Sequence, residues 1–208
     1  MNNIIANLQL PTDSLDYDVL FDAAAAIKNV PGAVCEIGTR RGGSLKFIID
    51  GLLSVNDTNR NVICVDPYGN IDYHMSDSRF DKSDYTNDMR NEAMSNIYAY
   101  VDKKPINVVF LCLEDTEFFN RFQEGFPFYQ NNKIILNQYA LVFFDGPHDK
   151  SSIVKEVEFF LPRSVIGSQF VFDDVSDYDH QAIDDILLQN NFKEVKRTNR
   201  KISYVKVN

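Results

Sequence analysis

The feature that most restricts the fold is an alternation. Five short apolar runs stand along the chain: Ala33–Ile37 (AVCEI), Asn61–Val65 (NVICV), Ile106–Cys112 (INVVFLC), Tyr139–Phe144 (YALVFF) and Ser168–Phe172 (SQFVF). Each is rich in β-branched or aromatic side chains and ends near Gly, Asp or Pro. A strand buried on both faces has no polar side to show, so it reads as one continuous apolar run. The stretches between them predict helices over Gly43–Leu53, Tyr85–Val101, Thr116–Gln123 and Ser151–Phe160. A leading helix is predicted at Ser14–Lys28, with Ser14 as its N-cap and Gly32 beyond its end. Strand and helix alternating at this spacing build a doubly wound α/β sheet with helices on both faces. After Asp173-Asp174 a helix over Gln181–Gln189 precedes Phe192–Thr198 and Lys201–Val207, two alternating segments that predict an antiparallel closing pair.

No repeat, low-complexity tract or Pro/Gly/Ser-rich linker divides the 208 residues, so a single domain is expected, with residues 1–32 as a helical lead-in. Two longer segments, Pro67–Asp84 and Glu124–Asn137, are expected to be substrate loops. A net charge of −9 repels phosphate backbones and anionic bilayers, which excludes a general nucleic-acid or membrane-surface binder and leaves small molecules and cations. No apolar run approaches the ~20 residues of a membrane span. The opening residues lack the basic, apolar and small-residue pattern of a secretory signal, so the cytoplasm is the expected location. The three cysteines, Cys35, Cys64 and Cys112, are far apart and lie within apolar segments; they are expected to be buried, reduced thiols. The basic residues Lys193, Lys196, Arg197, Arg200, Lys201 and Lys206 are expected on the solvated face of the closing hairpin.

The chemistry gathers where strands end. Glu36-Ile37-Gly38-Thr39-Arg40-Arg41-Gly42-Gly43-Ser44 is a strand, a glycine turn and a helix start, the geometry that brings a nucleotide-like ligand against backbone N–H groups. Arg40 stands where a pyrophosphate-binding turn needs its middle glycine, which counts against NAD and favours a ligand without phosphates, such as S-adenosylmethionine. Asp66 follows the second strand about 20 residues past that turn, a position suited to accepting hydrogen bonds from ribose hydroxyls. Asp115, after the third strand, is either an adenine contact or an N-cap. Asp145 ends the fourth strand, and Asp173 and Asp174 end the fifth. Three carboxylates at one rim repel unless a cation sits among them, so they are expected to hold a hard ion, Mg²⁺ first. His148, three residues beyond Asp145, is a candidate general base.

Together these pieces resemble the class I S-adenosylmethionine-dependent methyltransferases, and among them the small-molecule O-methyltransferase families that include the macrocin O-methyltransferases. The resemblance is carried by EIGTRRGGS, VICVDPY, YALVFFDGPHDKSSIVKEVEFFLP and FVFDDV. It implies a seven-stranded Rossmann-like sheet of order 3-2-1-4-5-7-6 with an antiparallel last strand. It also implies cofactor contacts from Glu36, Gly38, Ser44 and Asp66, and, in metal-dependent members, a metal on Asp145, Asp173 and Asp174; Thr39, Asp115 and Asp145 are expected to join the cofactor site. The chain departs from the family at Val165-Ile166-Gly167-Ser168, where a Pro-Gly-Gly turn is usual, and at the bulky Arg40-Arg41. The expected activity is Mg²⁺-dependent O-methyl transfer to a hydroxylated small molecule, a sugar or natural product, with Asp145 and His148 as catalytic residues. Its rivals are an NAD-dependent oxidoreductase and a non-catalytic or hydroxylase-linked member of the same fold. The oligomeric state is left open.

Overall fold

A computed structural model describes residues 10–73 and 83–208. The chain enters through α1 (Asp18–Ala26), then β1 (Ala33–Ile37), α2 (Gly43–Ser54) and β2 (Arg60–Val65). A small hairpin, β3 (Ile71–Tyr73) with β4 (Ser83–Tyr85), leads to α3 (Asn87–Val101), β5 (Ile106–Leu111) and α4 (Asp115–Arg121). A second hairpin, β6 (Phe126–Tyr129) with β7 (Lys133–Leu136), precedes β8 (Tyr139–Phe144), α5 (Lys150–Phe160) and β9 (Ser164–Phe172). The chain closes with α6 (Gln181–Gln189), β10 (Phe192–Arg197) and β11 (Ile202–Lys206).

Seven strands form the main sheet in the order β5-β2-β1-β8-β9-β11-β10, which, counting only its own strands, is 3-2-1-4-5-7-6. β1, β2, β5, β8 and β9 run parallel, and β11 lies antiparallel to both β9 and β10. The central strands are buried on both faces, as their unbroken apolar runs require. Val34, Val62, Cys64 and Phe143 face a core with α1 and α2, while Cys35, Ile63, Val142 and Phe144 face the other side with α4, α5 and α6. The strand order reverses between β1 and β8, so a crevice opens beyond the carboxyl ends of these two strands.

Several expectations change. α1 begins at Asp18, and Ser14 caps nothing: its hydroxyl donates to Asp173 at the end of β9. α3 begins at Asn87, where the Thr86 side chain accepts from the Met89 N–H. β9 starts earlier than its apolar run suggests. Gly167, at φ +90°, accommodates an irregularity in the register with β8, and the Ser168 hydroxyl donates to the Tyr139 carbonyl and accepts from the Val165 N–H. The unusual turn before the fifth parallel strand is thereby built into the sheet. Cys35 and Cys64 are buried free thiols, but Cys112 is exposed, because it lies one residue past the last ladder position of the edge strand β5. The β6–β7 hairpin feeds the amino end of β8, and Gln130 bonds Asn61 at the start of β2 at 2.8 Å. Chain direction therefore puts Glu124–Asn137 at the end of the sheet opposite the crevice. Of the other expected loop, Pro67–Asp84, Pro67 lines the crevice and residues 74–82 lie outside the described ones. Among the described residues no helix is long and apolar enough to cross a membrane.

Candidate active site

One cleft runs along the switch point, from Asp66 and Asp115 on one side of β1 to Asp145, His148, Asp173 and Asp174 on the other. Gly38, Thr39 and Ser44 line its centre, and Glu36 lies beneath it, wholly buried. Gly38 adopts φ +89°, and a Cβ there would stand 1.8 Å from the Asp145 carbonyl oxygen, so only glycine lets the β1–α2 turn and the loop after β8 touch. Arg40, also at positive φ (44°), turns its N–H onto Asp66 Oδ2 at 2.7 Å.

This half of the cleft holds polar atoms with no partner. Ser44 donates to Glu36 Oε1, but Glu36 Oε2, Thr39 Oγ1 and Asp66 Oδ1 are buried and unsatisfied by protein. Burial raises the Glu36 carboxyl to about 7 despite the Ser44 hydrogen bond. Burial likewise raises Asp66 to about 7 despite the Arg40 N–H. Buried oxygens left this way cost free energy until a donor arrives. Asp115 is settled as a lining residue: the cap of α4 is Glu114, in a capping box with Glu117.

The rim beyond β8 and β9 is different, because each carboxylate there faces a cation. β11 runs antiparallel to β9 with Ile202 opposite Phe172, so the next residues outward, Lys201 and Arg200, meet Asp173 and Asp174 in turn. Lys201 Nζ lies 2.8 Å from Asp173 Oδ2 and 2.9 Å from Ser14 Oγ. Arg200 pairs with Asp174 Oδ1. His148 completes the set, its Nδ1 2.9 Å from Asp174 Oδ2 and its Nε2 3.6 Å from Asp145 Oδ1. Burial opposes a charged ring, but the bonds to Asp145 and Asp174 outweigh it and hold the His148 imidazolium with a pKa of about 10. Burial pushes Asp145 well above the usual carboxylate range, whereas the bond from His148 more than offsets burial at Asp174 and holds it below that range.

The rim departs from the sequence-based expectation in three ways. The side chains that converge within 4.8 Å are Asp145, His148 and Asp174, while Asp173 is turned to Lys201. Lys201 is not on a solvated face; its side chain is fully buried. Both ring nitrogens of His148 face carboxylates, Asp145 and Asp174, an arrangement that favours the protonated ring over a resting-state base. Asp13 and Arg40, paired at 2.5 Å, and Tyr85 also line the cleft; the glycine turn marks Arg40, but nothing in their sequence neighbourhood marks Asp13 or Tyr85. A signal for Lys201 and Arg200 is present in the sequence: an acidic pair ending one strand and a basic pair opening its antiparallel neighbour.

A family model described as a methyltransferase domain matches residues 35–175, more than half of the chain. The chain belongs to this methyltransferase-domain family. No curated protein matches it. Among solved structures it is similar to the O-methyltransferase NovP, with TM-score 0.64 and 13% identity over 92% of this chain and 79% of that one. It is also similar to the O-methyltransferase TomG of Streptomyces achromogenes, involved in tomaymycin synthesis and solved with S-adenosylmethionine, with TM-score 0.61 and 11% identity over 100% and 91%. A Bacillus cereus O-methyltransferase, solved with S-adenosylhomocysteine, gives TM-score 0.58 and 14% identity over 98% and 87%. At these identities the likeness is one of fold.

Proposed function

We propose that the protein transfers a methyl group from S-adenosylmethionine to a hydroxyl of a small molecule. The observation that carries this reading is the unpartnered buried oxygen of Asp66, which lines the cleft with Thr39 around a glycine turn. Asp66 Oδ1 is an acceptor without a donor in the cleft wall, with the Thr39 hydroxyl beside it in the same lining, and a ribose hydroxyl supplies a donor. Asp66 would hold the ribose and Asp115 the adenine amino group, with Gly38 keeping the turn close. The lining is rich in carboxylates, which suits a sulfonium cation and repels the pyrophosphate of NAD. The complexes of the TomG and Bacillus cereus proteins with S-adenosylmethionine and S-adenosylhomocysteine support the same cofactor.

The bound cofactor supplies an already activated methyl group, so the protein's work is to place the acceptor oxygen and take its proton. Asp145, in the ionised form that pairs with the His148 imidazolium, is the residue for that proton, and it stands at the centre of the rim. His148 carries the compensating positive charge and holds Asp145 and Asp174 in position.

The donor set does not suit Mg²⁺. Asp173 has Oδ2 on Lys201 and Oδ1 on Ser14 and the Asp174 N–H, while Asp174 is shared by Arg200 and His148. A hard octahedral ion seeks free oxygens, and the convergent group offers two carboxylates and a protonated imidazole. No step is therefore assigned to a metal. Buried free thiols at Cys35 and Cys64 fit a reducing compartment, the cytoplasm.

Calorimetric titration tests this reading. S-adenosylhomocysteine should bind the wild type and NAD should not, and Asp66→Ala should weaken binding roughly 10- to 100-fold, the worth of one or two hydrogen bonds to a charged acceptor. Equal binding of NAD, or an Asp66→Ala protein that binds as well as wild type, overturns it.

A further inference from the structure

We propose that Lys201 and Arg200 are resident counter-cations for the Asp173-Asp174 pair, and that the acidic rim works without a divalent metal. The pairing belongs to the fold; only its consequence for the reaction rests on the methyl-transfer reading. Lys201 stands one residue before β11, next to the last pair of the β9–β11 ladder (Ile202 opposite Phe172), and the Thr198 N–H and hydroxyl bond its carbonyl, so the sheet edge holds its backbone. Its side chain is 0% exposed and that of Asp173 is 1% exposed. The ammonium is fully used: Asp173 Oδ2 and Ser14 Oγ each accept from it, and the Tyr17 ring lies 4.2 Å away. Asp173 is equally committed, with Ser14 Oγ at 3.0 Å and the Asp174 N–H at 2.8 Å on its other oxygen.

An ion coordinated by Asp173 would stand beside a buried ammonium, and like charges at that distance, away from water, repel strongly. An ion on Asp174 would have to displace Arg200. The one-to-one match of two acids with two bases therefore does the work that three bare carboxylates would have required of a metal. Lys201 is a positioning residue: it fixes Asp173 and Ser14, both in the cleft wall, and leaves removal of the acceptor proton to Asp145.

The test is titration of Mn²⁺ alone into the chelator-treated full chain, read by calorimetry and by the electron paramagnetic resonance signal of the free ion. Wild type should show no saturable binding at millimolar Mn²⁺, and Lys201→Arg should behave like it. Lys201→Met should gain Mn²⁺ affinity by roughly 100-fold or more, because one buried positive charge beside the carboxylates is removed. That gain should vanish in Lys201→Met with Asp173→Asn. A structural role for Lys201 alone would not create an ion site. Saturable binding to the wild type that Asp174→Asn abolishes overturns the proposal, as does a folded Lys201→Met that binds no Mn²⁺. Should Lys201→Met fail to fold, Lys201→Gln and the wild-type titration carry the same contrast. A chain that binds no S-adenosylhomocysteine sinks the methyl-transfer reading and leaves the ion titration standing.

Discussion

The two halves of the cleft use the same material, carboxylates at the carboxyl ends of parallel strands, and treat it in opposite ways. Around β1 and β2, Asp66 keeps a buried oxygen without a donor in the cleft wall, and Glu36 lies beneath it with neutral hydroxyls and no cation as partners. Beyond β8 and β9, Asp173 and Asp174 have their charges met inside the chain by Lys201, Arg200 and His148. An unsatisfied buried acceptor that lines the cleft, as Asp66 does, marks where a ligand's donor fits, whereas Glu156, buried against Gly146 with neither oxygen partnered, does not reach it. An acidic cluster is thus a ligand site only by what its oxygens lack, not by how many carboxylates it collects.

The sharpest way to break this contrast is to remove one member from each half. Lys201→Met leaves Asp173 buried and unpaired, and should cost about 3–5 kcal/mol in urea denaturation, most of it recovered by adding Asp173→Asn. Asp66→Asn removes a buried charge that lacks a full set of partners, and should leave the ligand-free protein at least as stable as wild type. If the two single substitutions cost the same, the halves are not different in kind.

A second, smaller effect separates the halves by pH. Glu36 and Asp66 have folded pKa values of about 7, above their ordinary 4.5 and 3.8. The folded state then keeps protons that the unfolded chain has released, so stability falls as pH rises from about 4 to about 7. His148, raised from 6.5 to about 10, contributes stability that is complete below 6.5 and lost as pH rises through 10. Melting temperature against pH should show both windows. S-adenosylhomocysteine should counter the lower one, by binding the ionised carboxylates more tightly as pH rises through 7, and His148→Gln should remove the upper one. A single window, unchanged by either, would dissolve the distinction.

The smallest effect concerns the thiols. Cys112 should label at once under native conditions. Cys35 and Cys64, in the strands beside Glu36, should label only on opening, and more slowly with S-adenosylhomocysteine bound. Rapid labelling of Cys64 in the folded chain would mean that the cofactor half is open without its ligand.

Much of this molecule is legible in its amino-acid order alone. The runs AVCEI and YALVFF are strands with the same bounds in the structure, because a strand buried on both faces admits little except apolar, β-branched or aromatic residues. Asp66, Asp145, Asp173 and Asp174 are legible as strand-end residues, since in a parallel sheet the strand's end and the cleft's edge are the same place. The N-terminal segment is not legible: Asp13 and Ser14 look like a helix start, and their partners Arg40, Asp173 and Lys201 are remote in sequence.

Amino-acid order alone fixes the strands and most helices of the main sheet, though not the β3–β4 and β6–β7 hairpins, and it tells which end of that sheet carries carboxylates. Those follow from local patterns, in which side-chain polarity repeats with the period of the backbone. Which carboxylates are paired emerges only on folding. Lys201 meets Asp173, Arg200 meets Asp174, and Cys112 falls outside, because register between distant strands sets every one of those distances. Charge composition is a property of the chain, but charge compensation is a property of who stands opposite whom, and that is fixed only when β11 docks on β9.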